Sequence, residues 1–147
     1  MKIKNIICPL FLGRDSIHPA EKETISKRLS YWALSETYGF KGISYKNPYF
    51  KSAVVTDSVI LVSFENLGMG LTTYGKELSN VEVAPEDKVF HPAKATIVKK
   101  HISVFEPQVS KPVAVRYGFC NFPKGTGFLY NTAGLPVPSF QSDDWDK

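Results

Sequence analysis

The chain has 147 residues, enough for one domain or for one small domain with an appendage. Hydrophobic residues make up 43% and charged residues 22%, which excludes a globally disordered chain. The net charge of +4 is spread out, and its densest run, Lys99-Lys100-His101, has no second basic cluster beside it, so nucleic-acid binding is not expected.

At the N-terminus, Met1-Lys2-Ile3-Lys4 precedes the apolar run Ile6 to Leu12. The run is too short for a secretory signal, and Arg14-Asp15 follows too soon, so it reads as a buried strand in front of a loop. Nothing approaches the ~20 apolar residues of a membrane span. Cys8 and Cys120 are too few and too far apart for a disulfide scaffold or a zinc site, and each reads as a small buried hydrophobe.

The loop Asp15-Ser16-Ile17-His18-Pro19 carries the clearest chemical signal. A carboxylate three residues before a histidine can accept a hydrogen bond from one imidazole nitrogen. The other nitrogen is then free to take a proton from a nucleophile. On spacing alone, a histidine that merely caps a helix start is the better explanation of the motif, and the resemblance described below reverses that order. No Gly-x-Ser-x-Gly elbow and no Gly-Asp-Ser box occurs in the sequence.

Residues 19 to 38 are expected to be helical. Pro19 suits the first position, Glu21 and Glu23 favour the positive end of the dipole, and Gly39 suits a left-handed stop. Ile25, Leu29, Trp32 and Ala33 fall at helical spacing and predict one buried stripe. Gly42 to Phe50 reads as a linker.

Beyond it the apolar period drops to two. Ala53 to Thr56 and Val59 to Phe64 flank Asp57-Ser58 as a hairpin, and Ala95 to Val98 and Ile102 to Phe105 flank Lys99-Lys100-His101 as another. Val81 to Val83 and Val113 to Phe119 add strands. This pattern predicts an antiparallel β-sandwich over about residues 50 to 120.

His91 and His101 lack metal-ligand spacing and read as surface or turn residues; no metal and no cofactor are expected. Arg116 on an apolar strand needs a carboxylate, and Asp143 or Asp144 in the tail can supply it as a clamp. The tail from Asn121 is stiffened by Pro123, Pro136 and Pro138, with Phe122, Phe128, Tyr130 and Phe140 to pin it down. Trp145 is either an anchor over the sheet or an exposed platform for a sugar ring.

Several stretches taken in order resemble the C-terminal portion of the sialate O-acetylesterase family, serine esterases of the SGNH-hydrolase type. They are Ile17-His18-Pro19, Leu29 to Leu34, Asn47 to Ser52, Phe64 to Leu71, Phe90 to Ala95, Pro112 to Tyr117, Leu129-Tyr130-Asn131, Gly134-Leu135-Pro136, and Phe140 to Trp145.

The resemblance implies a mainly β chain. Residues 1-41 would be the end of an SGNH α/β hydrolase domain (strand, catalytic loop and helix), and residues 42-147 a C-terminal β-sandwich with an ordered tail. It implies His18 as the catalytic histidine and Asp15 as its orienting carboxylate, with an acetylated sugar as substrate of the complete enzyme. The nucleophile and oxyanion blocks of the family are not in this sequence, so the chain alone is expected to be inactive. The family's asparagine before Leu-Tyr-Asn is replaced by Phe128.

A periplasmic or secreted location is favoured by the same resemblance. A non-catalytic carbohydrate-binding or structural sandwich is the alternative. With little to cover it, the helix stripe is expected to pack on the sandwich or to drive self-association.

Overall fold

The computed structural model describes residues 22–120, 123 and 125–145. The expected strand over residues 3 to 12 and the Asp15–His18 loop lie outside the described residues.

Helix α1 spans Lys22–Glu36. Its C-terminus closes as the glycine predicts. Tyr38 N donates to Ala33 O and Phe40 N to Leu34 O, while Gly39 sits at φ 73°, a conformation open to a residue without Cβ. The regular helix therefore ends two residues before Tyr38, where the expectation placed its end. Glu23 and Lys27 pair across one turn at 2.6 Å on the solvent face.

The expectation of a buried stripe is not met, because none of the helix residues is buried and Leu29 remains 43% exposed. The helix keeps Ile25, Trp32, Ala33 and Leu34 half-buried. Its attachment is polar: Tyr45 Oη donates to Glu36 at 2.6 Å, and Lys46 pairs with the same carboxylate at 3.4 Å.

The other described residues are mainly β and antiparallel, as expected. The first sheet contains β1 (Tyr49–Thr56), β2 (Val59–Glu65), β6 (Lys94–Val98) and β7 (His101–Phe105), in the order β1-β2-β7-β6. Both predicted hairpins form. Each turns through two residues, the first at positive φ: Asp57 at 53° and Lys99 at 57°.

The second sheet contains β4 (Val81–Ala84), β5 (His91–Pro92), β8 (Ala114–Tyr117) and β10 (Phe140–Gln141), in the order β10-β8-β4-β5. A small ribbon pairs β3 (Leu71–Thr72) with β9 (Tyr130–Asn131). The tail thus supplies β9 and β10, and the sandwich extends well past residue 120.

Alternation along the strands builds the core. Ile60, Val62 and Phe64 of β2 and Ile102 and Val104 of β7 turn inward, as do Val81, Val83, Val115 and Tyr117 from the second sheet, into one cluster. Full burial of each such side chain contributes about 1.5–3 kcal/mol.

A register shift between Phe50 and Ser52 interrupts β1. Phe50 packs against the core, stacked at 5.0 Å on Phe140, which also meets Phe64 and Tyr117 edge-on or tilted at 5.6 Å. The tail is pinned by this aromatic knot.

Two further expectations change. Gly42 to Phe50 is not a free linker. Asn47 and Pro48 are buried, Asn47 Nδ2 donates to Pro136 O at 3.0 Å, and β1 begins at Tyr49. Cys120 is exposed and not a buried hydrophobe, since the chain leaves the sheet after Gly118.

Candidate functional site

His18 and Asp15 lie outside the described residues, so their geometry carries no argument. What is described is the structure that follows them. Helix α1 begins at Lys22, and its far end is fixed to the sandwich through Glu36, Tyr45 and Lys46. The hydrogen bond from Tyr45, reinforced by Lys46, holds the Glu36 carboxyl below its ordinary range. Contact with Tyr45 and then Glu36 raises the Lys46 ammonium, so both groups are charged at neutral pH.

Just below this attachment lies a groove of about 160 Å³, lined by Ser44, Tyr45, Lys46, Asn66, Gly68 and Asn131 among others. Its floor comes from the turn after β9. There Asn131 Oδ1 accepts from Ala133 N at 3.1 Å and Leu135 N at 2.9 Å, an Asx-type closure that orients the amide. Its wall is the loop after β2, where Asn66 and Gly68 both adopt positive φ, 57° and 62°. Asn66 Nδ2 reaches back to Asn47 O at 3.4 Å.

On β8 of the second sheet, Arg116 meets the carboxylate that the sequence demanded. Nε donates to Asp143 Oδ2 at 2.9 Å and Nη2 to Oδ1 at 2.6 Å; Asp144 is exposed. The guanidinium also lies between two rings, 4.1 Å from the Phe90 centroid and 4.4 Å from Phe119. Trp145 packs on Phe90 at 5.8 Å with Lys88 over it at 5.3 Å, so it is an anchor of the tail.

This arrangement ties the tail to β8, and the Nε and Nη2 donors that face Asp143 are satisfied there. It is a clamp. Sequence reasoning found its ion pair and missed Phe90 and Phe119, which have no periodic signature at their loop positions.

His91 and His101 differ in exposure, and neither faces a partner set for a metal among the described residues. His101 is exposed and its Nδ1 lies 3.1 Å from Ser63 Oγ across the sheet, while His91 is half-buried in β5. No group of His, Cys, Asp and Glu among the described residues could hold a metal ion. No helix among them is long and apolar enough to cross a membrane.

Two groups that reasoning from sequence overlooked are Asn47 and Asn131, both buried amides that tie separate segments together. The signal for each was present but indirect: Asn47 precedes a proline, and Asn131 begins a Gly-containing turn.

No protein-family model matches the chain, and no curated protein does. Among solved structures, the chain is similar to a carbohydrate acetylesterase from Xanthomonas citri. The two share 32% identity and superpose with a TM-score of 0.84 over 92% of this chain. The chain spans only 31% of that protein's length, so what is matched is one part of a larger carbohydrate acetylesterase.

Proposed function

We propose that this chain serves as the C-terminal part of a carbohydrate O-acetylesterase of the sialate O-acetylesterase kind. Residues 1-41 would complete an SGNH-type hydrolase domain, and residues 42-147 would form the sandwich attached to it. The observation that carries the reading is the 32% identity to part of a carbohydrate acetylesterase over 92% of this chain. The Asp-x-x-His spacing of Asp15 and His18 supports it, because that pair suits one half of a serine acyl-transfer site.

In this reading, Asp15 accepts a hydrogen bond from His18 and fixes its tautomer. His18 removes the proton from a serine hydroxyl as that oxygen attacks the acetyl carbonyl. It then delivers the proton to the departing sugar oxygen, and repeats the exchange with water to release acetate. The serine and the oxyanion donors come from a hydrolase segment that carries the Gly-Asp-Ser-type box, which this sequence lacks. Absent that segment, the partly exposed face of Ile25, Leu29 and Trp32 pairs copies of the chain with one another.

A non-catalytic carbohydrate-binding module is the second reading, favoured by a sandwich that closes its own core without the helix. One experiment separates them. The purified chain is assayed on a chromogenic acetate alone, then fused to or mixed with a hydrolase segment bearing the serine box. Activity only in the combined sample, lost in His18→Ala, supports the esterase part. Saturable turnover by the chain alone, or a combined sample indifferent to His18→Ala, overturns it.

A further inference from the structure

The groove between the α1 attachment and the sandwich contains an amide donor that has no partner among the described residues. Asn131 is only 2% exposed, yet all its bonds are made through Oδ1 and the backbone. Two N–H groups converge on that oxygen, which settles which end of the amide is which. The Nδ2 group donates to none of the described residues.

Nor is it sealed in the core, because the only enclosed side-chain polar atom without a partner among the described residues is Ser35 Oγ. Asn131 lines the groove, so its amide opens there. A buried amide fixed at one end, whose N–H donors have no partner among the described residues, calls for an acceptor.

The rest of the lining defines that acceptor. Tyr45 offers a ring pinned at its hydroxyl by Glu36. Ser44 adds a hydroxyl that can donate or accept. Gly68 leaves open space where a Cβ would stand, so a ligand can approach the backbone. Lys46 is already neutralised by Glu36, so the groove has no spare cation to attract an anion. Ile43 adds an apolar side chain to the lining. Fixed donors, a hydroxyl, an apolar side chain and one ring suit a neutral polyhydroxylated ring. The volume of about 160 Å³ has room for one sugar residue and no more.

We infer that this groove is a subsite for a single neutral pyranose unit, held by Asn131 Nδ2 and packed against Tyr45. The inference deepens the carbohydrate reading above and rests on it for the ligand class. It would give the sandwich its own hold on the glycan.

The test is binding by the whole chain, which does not require hydrolysis. Uniformly ¹⁵N-labelled protein is titrated with methyl β-D-glucopyranoside, methyl β-D-galactopyranoside, methyl β-D-xylopyranoside and, as an anion control, sodium acetate. Saturable shifts at the Asn131 side-chain amide and at Ser44, Tyr45 and Gly68 with at least one glycoside are expected, with a millimolar dissociation constant. Asn131→Asp keeps the Oδ1 acceptor and removes the donor, so binding weakens at least tenfold. Should that variant fail to fold, Tyr45→Ala is expected to weaken binding while leaving the spectrum of the sandwich unchanged.

No shift with any glycoside, shifts with acetate alone, or shifts confined to another surface would overturn the subsite. Absence of shifts in a chain that still restores His18-dependent hydrolysis would remove this inference and leave the esterase reading standing.

Discussion

Asp143 sits with both carboxylate oxygens against the guanidinium of Arg116, at 2.9 and 2.6 Å, and this fork joins the last residues of the tail to the second sheet. The two positions are 27 residues apart, so the bond closes a large loop. With side-chain exposures of 10% and 2%, the pair is shielded from water. Removing one partner therefore leaves a buried charge, which costs more than the pair contributes. Arg116→Ala is expected to lower stability by about 3 kcal/mol. Arg116→Lys is expected to recover little of it, because a point charge neither fills the fork nor stacks between Phe90 and Phe119. Denaturant midpoints of the three proteins check this, and equal midpoints for Lys and Arg would refute it.

The same pair sets an acid response. Hydrogen bonding from Arg116 lowers the Asp143 carboxyl below its ordinary range, outweighing the opposing effect of burial. A carboxyl whose folded pKa is depressed contributes stability above its unfolded value of about 3.9. That contribution is lost as pH falls through the folded value. The stability difference between the wild-type chain and Asp143→Asn should therefore be constant near neutrality and shrink below about pH 4. A difference that grows as the solution is acidified would contradict this assignment.

How far the sequence foretold this arrangement depends on the residue. The two hairpins were legible because alternation and two-residue turns are local signals, and Arg116 was legible because an ionised group on an apolar strand needs a counter-charge. Strands β3, β5, β9 and β10 were not. Each has only two residues, too few to show a period, and each exists because a longer neighbour pairs with it. The helix stripe misled because a 3.6-residue period says that a face is apolar without saying what covers it. Cys120 misled because residue type alone was used, whereas its exposure follows from where β8 ends. His18 and Asp15 stand out by their spacing but lie outside the described residues, and their role is a proposal that enzyme assays decide.

Asn47 offers a test of the junction. Its side chain is the described side-chain bond between the segment after α1 and the Pro136 turn. Asn47→Ala leaves the buried Pro136 carbonyl without that donor, at a cost of about 1–3 kcal/mol. Hydrogen exchange should rise at Asn131 and Val137, whose amides belong to the same turn. A chain with unchanged exchange there would show that the turn stands without Asn47.

Gly127 is the position least tolerant of a side chain. Its ideal Cβ would lie 1.6 Å from the Glu77 carbonyl oxygen, a backbone atom that cannot swing aside. Ser79 N donates to Gly127 O at 2.8 Å, so the two segments are held face to face and cannot simply part. Gly127→Ala is expected to cost more than about 4 kcal/mol, the range reserved for mutations with a definite steric cause. The variant should be insoluble or show no cooperative unfolding. Gly68→Ala has open space at Cβ and should cost only the strain of its positive φ. Similar midpoints for the two variants would show that the approach of residue 127 to residue 77 is looser than described.

The last prediction concerns His18 and Asp15 in the combined esterase. A histidine that merely caps a helix start affects folding, whereas a general base affects turnover. His18→Ala should leave the melting temperature of the chain within a few degrees while abolishing measurable kcat on a chromogenic acetate. Asp15→Asn keeps the hydrogen bond's geometry and loses the charge that stabilises the imidazolium. It should lower kcat by about 10²–10⁴-fold with little change in KM, since orientation and charge matter most in the transition state. The remaining activity should still rise with pH as the imidazole loses its proton. A large drop in melting temperature for His18→Ala, with kcat in the combined sample intact, would return His18 to a purely structural role and leave the sandwich as a binding module.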